Sequence, residues 1–258
     1  MGPQSGSTRR ARAWISAAHA PSYAGRVTLP AALPLPPPLP PLSIAPLPPL
    51  VWADAWLLVA DKPAGLLCVP GRGADKADCL ARRVADLWPD ARVVHRLDMA
   101  TSGLVVFGRG AALQRALSGA FAERRVHKQY EAVVAGLPAE AQGEIDLPLS
   151  ADWPNRPRQQ VDSLAGKPSL TRWQVLQRDE VNGTSRLRLC PVTGRTHQLR
   201  LHLAAIGHPI LGDALYAPAP WAAAAPRLLL HACDLVIEPL PDGSGPAGGW
   251  RFSSPLPF

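Results

Sequence analysis

Proline makes up half of the stretch from Pro30 to Pro49, and no other feature limits the fold so sharply. Each proline removes a backbone donor and fixes φ at about −65°, so helix and sheet are both blocked and an extended polyproline II path remains. Upstream, the composition is one-sided: no acid precedes Asp54, while arginine occupies positions 9, 10, 12 and 26. Residues 1–50 are therefore expected to be a disordered tail followed by a stiff linker, with the folded domain confined to residues 51–258. The acid-poor start would also suit a transit peptide, although its amphipathic pattern is weak. Thr8-Arg9-Arg10 is not followed by the clean apolar run of a twin-arginine signal.

A chain of 258 residues with 47% hydrophobic content can bury a sizeable core. Its formal net charge of +7 biases it toward polyanions, whether RNA, DNA or an acidic membrane surface. Cys68, Cys79, Cys190 and Cys233 form no C-x-x-C pair and have no histidine at zinc spacing, so reduced thiols in a cytosolic protein are expected and no metal. No apolar run approaches the roughly 20 residues of a membrane-spanning helix, so a cytoplasmic protein with no membrane partner is expected.

From Val51 the pattern becomes globular. Trp56 to Ala60 reads as a buried strand entering a turn at Asp61-Lys62-Pro63-Ala64-Gly65, and Asp78 to Trp88 has helical spacing. Arg92 to Val94 and Leu104 to Phe107 read as strand segments around a loop, and Ala111 to Arg125 as a helix with Leu113, Leu117 and Phe121 on one stripe. Further strands are expected at Val126 to Ala135, Glu144 to Leu149, Leu170 to Leu176, Arg186 to Cys190 and Leu228 to Ile237. A helix is expected at Thr196 to Ile206, with Leu199, Leu203 and Ile206 as its buried stripe. This irregular order implies an α+β fold with a mixed, mainly antiparallel sheet and flanking helices.

Three clusters could carry chemistry. His95-Arg96-Leu97-Asp98-Met99-Ala100-Thr101-Ser102-Gly103 puts one acid among basic, small and hydroxyl residues on a loop. Taken alone, Asp98 could equally brace a turn. In Val126 to Gly136 the period of two places Lys128 and Tyr130 on one strand face, where a ring can stack on a nucleobase; an ordinary strand would look the same. In Thr193-Gly194-Arg195-Thr196-His197-Gln198-Leu199-Arg200 a glycine turn enters a helix, with Arg195 pointing toward whatever cleft the helix borders. Arg195 could also bind a loop carboxylate for structure alone. His197 and His202 are five apart, not the four that share a helical face, which argues against zinc. Asp213 reads as a loop brace, and Trp153-Pro154-Asn155-Arg156-Pro157-Arg158 as either a solvated or an RNA-contacting loop.

These three clusters, in this order over Val51 to Pro257, resemble the motifs of the RluA family of RNA pseudouridine synthases. Pro70-Gly71-Arg72, Asp152 to Pro157 and Gly207 to Asp213 are similar to the branch of that family that acts on both 23S rRNA and tRNA. The resemblance implies a pseudouridine synthase fold with a central RNA-binding cleft. It also implies isomerisation of uridine to pseudouridine in RNA stem-loops without metal, cofactor or energy source, by a monomeric enzyme. Asp98 is then the essential carboxylate, acting as nucleophile or as the base that yields a glycal; the two remain open. Tyr130 would stack on the target base and assist proton transfer, and Arg195 would fork onto Asp98 and offset its desolvation, the three forming the catalytic set. His95, Arg96, Thr101, Lys128, Arg156, Arg158, His197 and Arg200 would bind RNA, with Arg96 filling the space of the extruded base or binding phosphate there. Extrusion costs a few kcal/mol, least in a loop. Relatives that modify other rRNA sites usually carry an RNA-binding module where this chain has its proline-rich segment. Three other readings bear weighing: a non-catalytic RNA-binding module, an rRNA-only synthase, and a retaining glycosidase. The last would need a second acid about 5 Å from the first, and only Asp213 accompanies the motifs.

Overall fold

The computed structural model describes residues 46–73 and 76–258; the expectations for residues 1–45 lie outside the described residues. In chain order the strands and helices are β1 (Leu50–Ala53), β2 (Leu57–Lys62), α1 (Leu80–Leu87), β3 (Ala91–Val93), β4 (Ser102–Arg109), α2 (Gly110–Ala122), β5 (Val126–Ala135), β6 (Gln142–Asp146), β7 (Leu149–Ala151), β8 (Gln159–Val161), β9 (Leu170–Asp179), β10 (Thr184–Pro191), α3 (Gln198–Ala205), α4 (Ala219–Ala223), β11 (Leu230–Ile237) and β12 (Trp250–Ser253). This is the α+β fold expected, and among the described residues no helix is long and apolar enough to cross a membrane.

A ten-stranded sheet runs in the order β1-β2-β4-β11-β5-β10-β9-β6, with β3 added to β4 and β12 to β11; β7 and β8 form a separate pair. The runs Leu57 to Ala60 and Leu104 to Phe107 are apolar throughout because both faces of this sheet are covered. Leu57, Val59, Leu104 and Val106 pack with Leu117 and Ala120 of α2. Leu58, Ala60, Val105 and Phe107 pack with Leu80 and Val84 of α1 on the other face. A third cluster joins Ala132 and Val134 of β5 and Leu187 and Leu189 of β10 to Leu199 and Leu203 of α3.

All the strand pairs are antiparallel except β4 with β11, which meet in parallel through Ser102–Gly103 and His231–Ala232. Gly103 has φ +114°, and a Cβ there would stand 2.3 Å from the Ala232 carbonyl oxygen. Glycine is required at this seam, which lies five residues beyond Asp98.

Two boundaries differ from expectation. The fold begins before residue 51: Leu50 opens β1, the Pro49 carbonyl accepts from Asp61 N–H at 2.9 Å, and the Pro46 carbonyl accepts from Arg83 Nη1 at 2.9 Å. Proline lacks a donor but keeps its acceptor, so the end of the proline-rich stretch can still be tied to the domain. Helix α3 starts at Gln198, and Ile206 lies at its C-cap, 36% exposed instead of buried.

Candidate active site

Strands β3 and β4 are antiparallel neighbours, and the loop between them carries the aspartate motif. Thr101 N–H closes the turn on the Asp98 carbonyl at 3.1 Å, and Gly65 N–H holds the Met99 carbonyl at 2.8 Å. Beneath the loop lies Lys62, fully buried, whose Nζ donates to the carbonyls of Pro63 (2.9 Å), Leu66 (2.8 Å) and Met99 (3.1 Å). An ammonium has three protons, and here all three are used. Burial pushes the Lys62 pKa down to about 8, with the Cys68 and Asp98 charges opposing the shift.

The loop opens into a cleft of about 510 Å³ whose lining includes Arg96, Asp98, Thr101, Arg124, Lys128, Tyr130, Arg195, His197 and Arg200. Asp98 is the one acid among the described residues that line it. Its Oδ2 lies 3.9 Å from Arg200 Nη1 and its Oδ1 lies 4.0 Å from His197 Nε2.

The cation nearest Asp98 is thus Arg200 and not Arg195, which corrects the expected fork. Arg195 is exposed at the cleft edge, its Nε donating to the Pro168 carbonyl at 3.3 Å. The difference arises at His197, which takes φ +55° and delays the helix to Gln198. Gln198 Oε1 accepts from Arg195 N–H (3.0 Å) and Thr193 Oγ1 (2.7 Å), fixing that turn, while Arg200 falls on the buried face of α3.

Arg200 is held by Asp213 in a bidentate pair, Nε to Oδ2 at 2.8 Å and Nη2 to Oδ1 at 2.6 Å. Both side chains are buried. Desolvation would raise the Asp213 pKa, but the Arg200 hydrogen bond and charge hold it below the usual carboxylate range. Burial works against the Arg200 charge as well, and the Asp213 partner more than compensates, raising its pKa. Asp213 also accepts from the backbone N–H of Leu215 (2.9 Å) and Tyr216 (3.2 Å). The fork of Arg200 is therefore occupied, and its remaining nitrogen is the one turned to Asp98.

His197 Nδ1 lies 2.8 Å from the Tyr216 hydroxyl, which itself accepts from Gln159 N–H at 2.8 Å. The Nδ1–hydroxyl hydrogen bond orients the ring so that Nε2 is the atom facing Asp98. Burial lowers the His197 pKa against the pull of Asp98, so the ring is neutral at neutral pH. Tyr130, on β5, packs between the second and third apolar clusters. Burial, and then the Asp98 charge, raise its pKa, so its phenol keeps its proton.

His95 lines the cleft but is committed: its Nε2 accepts from Val106 N–H at 3.0 Å and its ring stacks on Phe121 at 4.5 Å. Burial, with the Lys128 charge, pushes its pKa down to about 3, so it offers no cation to a phosphate. Thr101 lines the cleft and is 2% exposed. Lys128 reaches from β5 to within 3.9 Å of the position a Gly194 Cβ would take. Arg156 and Arg158 sit outside the cleft on the loop between β7 and β8. The Arg156 guanidinium covers the ring of Trp153 at 3.3 Å, and Arg158 bonds the Leu215 carbonyl beside Tyr216. Lys62 and Asp213 complete the support of the site. In the sequence Lys62 stands in a turn directly after Asp61, and nothing local marks it as buried.

The profile of the family described as RNA pseudouridylate synthase matches residues 56–205. The chain is 48% identical over 186 residues to the dual-specificity RNA pseudouridine synthase RluA of Vibrio cholerae, covering 72% of this chain and 75% of that protein. It is 49% identical over 188 residues to RluA of Escherichia coli, covering 73% and 85%. Among solved structures it is similar to human RNA pseudouridylate synthase domain containing 1, with a TM-score of 0.68 and 29% identity over 85% of this chain and 87% of that one.

Proposed function

The chain belongs to the RNA pseudouridylate synthase family and is an RNA uridine isomerase; from that premise we propose that Asp98 carries the reaction and that stem-loops of 23S rRNA and tRNA are its substrates. The observation that carries the assignment of Asp98 is its isolation: a single carboxylate in a cationic cleft, approached on one oxygen by Arg200 and on the other by His197. Among the described residues that line the cleft, the second acid that a retaining glycosidase would need is absent, and Asp213 is locked onto Arg200. A module that only bound polyanions would gain nothing from a cleft carboxylate.

The reaction breaks the bond from uracil N1 to the ribose anomeric carbon, turns the base, and joins its C5 to that carbon, after which the C5 proton leaves. Asp98 acts on the ribose, either by attacking the anomeric carbon or by removing the neighbouring 2′ proton. Arg200, fixed by Asp213, keeps a cation beside the carboxylate as RNA closes off water. Tyr130 gives the detached uracil a stacking face and a phenol donor. Burial and then the Asp98 charge keep the phenol protonated, so Tyr130 enters the reaction as a donor. Arg96, exposed at the mouth, takes the place of the extruded base, and Arg195 contacts phosphate at the rim. The Trp153–Arg158 loop, tied through Gln159 and Tyr216 to His197, contacts the stem. The name shared by the relatives, dual-specificity, supports two RNA classes. We place this activity in residues 46–258 acting as a monomer in the cytoplasm.

The test is incubation of the purified protein with anticodon stem-loops and 23S rRNA transcripts, with pseudouridine mapped by carbodiimide-blocked primer extension. Both RNAs should be modified, and Asp98→Asn should reduce modification to background. Activity surviving in Asp98→Asn would sink the assignment, and modification of rRNA alone would remove the dual specificity.

A further inference from the structure

A second groove, of about 630 Å³, adjoins the catalytic cleft. Arg124, Lys128, Pro191 and Val192 line both spaces, so the two are continuous across one shared wall. Its remaining lining comes from strands that meet behind that wall: Gln129 of β5, Arg172 of β9, Asp234 of β11 and Arg251 of β12. The second space is at least as roomy as the first, so it can hold more than a side chain or an ion.

Its charge is lopsided. Arg124, His127, Lys128, Arg172 and Arg251 face one acid, Asp234. That acid is engaged, accepting from Ser253 Oγ at 2.6 Å and Gln129 Nε2 at 3.1 Å. Two of these side chains are partnered, His127 with Glu238 and Arg172 with Glu144, both at 2.7 Å and both exposed. Such exposed pairs contribute little and exchange readily for another anion. Arg124 and Arg251 are exposed and make no side-chain hydrogen bond or ion pair among the described residues. Arg124 also has φ +62°, a left-handed backbone rare outside glycine. That conformation closes α2 at the junction of the two spaces, with Arg125 N–H on the Ala120 carbonyl (2.8 Å) and Arg124 N–H on the Phe121 carbonyl (3.3 Å), and leaves Arg124 in the lining of both.

We propose that this groove carries the RNA backbone leaving the catalytic cleft, with Arg124 and Lys128 at the crossing and Arg172 and Arg251 on phosphates beyond it. The proposal rests on the pseudouridine synthase reading and extends it to a part of the molecule that the three clusters mark only at Val126 to Gln129. A groove lined by Arg124, Lys128, Arg172 and Arg251, whose one lining acid is already hydrogen-bonded, reads charge and not base identity, so it sets affinity and register instead of the chemistry.

The test uses Arg251→Gln and the double variant Arg172→Gln/Arg251→Gln in the full chain, with two RNAs: a stem-loop with a flanking strand, and a minimal loop that fills only the catalytic cleft. Binding is followed against salt, and turnover by pseudouridine formation. Each lost phosphate contact should lower the slope of log affinity against log salt by about 1 on the longer RNA. KM on that RNA should rise on the order of tenfold for the double variant, with the loss in KM and not in kcat. The minimal loop should bind both variants as it binds the parent protein. An unchanged salt slope on the longer RNA, or an equal loss on both RNAs, would overturn the proposal. The slope is a binding measurement and decides the groove even if no RNA is turned over. Failure to form pseudouridine strikes the catalytic reading alone.

Discussion

At the scale of single residues, the site turns on which arginine serves Asp98. Two arginines stand in the third motif, and a helix beginning at Thr196 would have aimed Arg195 into the cleft. The left-handed His197 shifts the helix start and gives that place to Arg200. Positive φ at a histidine has no sequence signature, whereas the motif itself, its aspartate and its tyrosine were legible as an acid among cations and as a strand face. Removing the Arg200 side chain leaves Asp213 buried without its partner, so Arg200→Met should lose about 3–5 kcal/mol of stability together with kcat. Arg195→Ala, at an exposed position, should change stability by no more than about 0.5 kcal/mol and act on KM. Urea unfolding and steady-state kinetics of the two variants separate them, and the reverse order would restore Arg195 to the carboxylate. Lys62 offers a second check. Above its pKa of about 8 it loses one of the three protons that hold the Pro63, Leu66 and Met99 carbonyls, so kcat should fall as pH rises through about 8. Its folded pKa lies below the unfolded value, so the unfolded chain binds more protons between about 8 and 10.5, and this group adds stability as pH rises there. Activity and melting temperature should therefore part company on the alkaline side. A kcat that stays flat to pH 9.5 would contradict the role of Lys62 in holding the Asp98 loop.

At the scale of elements, the segments that could be read in advance are those long enough to show a period or wholly apolar. Strands β2 and β4 announced themselves as continuous apolar runs, and α2 by its stripe at Leu113, Leu117 and Phe121. The strands β1, β7, β8 and β12 span only three or four residues each. Their partners are near in sequence, as when Ala53 pairs with Leu58 and Ala151 with Gln159, but three or four residues are too few to show a period, and no local pattern records the pairing. The same holds for the parallel contact of β4 with β11. It joins the half of the sheet that carries Asp98 to the half that carries Tyr130, and it rests on Gly103. A methyl group there would meet the Ala232 carbonyl at 2.3 Å on a backbone with φ +114°, so Gly103→Ala should cost at least about 2 kcal/mol. It should also slow catalysis more than its loss of stability accounts for, because the seam sets the distance between Asp98 and Tyr130. A melting curve and kcat measured well below the transition test both parts. Unchanged activity in a destabilised variant would show that the seam supports the fold but not the site.

At the scale of the whole molecule, the cleft is surrounded by histidines whose burial keeps them neutral. His95 is pushed down to about 3, and His197, His202 and His231 are each lowered, burial being the largest cause in every case. They sit on different supports. His95 braces the aspartate loop against β4 and α2. His202 accepts from Thr171 Oγ1 at 2.9 Å and donates to the Leu147 carbonyl at 3.0 Å, tying α3 to β9. His231 joins Ser102 (2.8 Å) to Ser254 (3.0 Å) across the β4–β11 seam. For each, the folded pKa lies below the unfolded value of about 6.5. The unfolded chain then binds more protons below that pH, so the stability these groups provide is complete above about 6.5 and declines as pH falls. His95 alone should lose about 2 kcal/mol between pH 7.5 and 5, well before the carboxylates Asp54, Asp78 and Asp213, themselves lowered, begin to protonate. Acid should therefore loosen the supports of the cleft through its histidines first. Urea unfolding at pH 7.5 and pH 5 should show the drop, and His95→Gln, whose amide oxygen can still accept from Val106 N–H, should make the pH dependence shallower by one proton. A stability that stays level from pH 7.5 to 5 would mean that these rings protonate in place, and that neutral histidines are not what holds the cleft together.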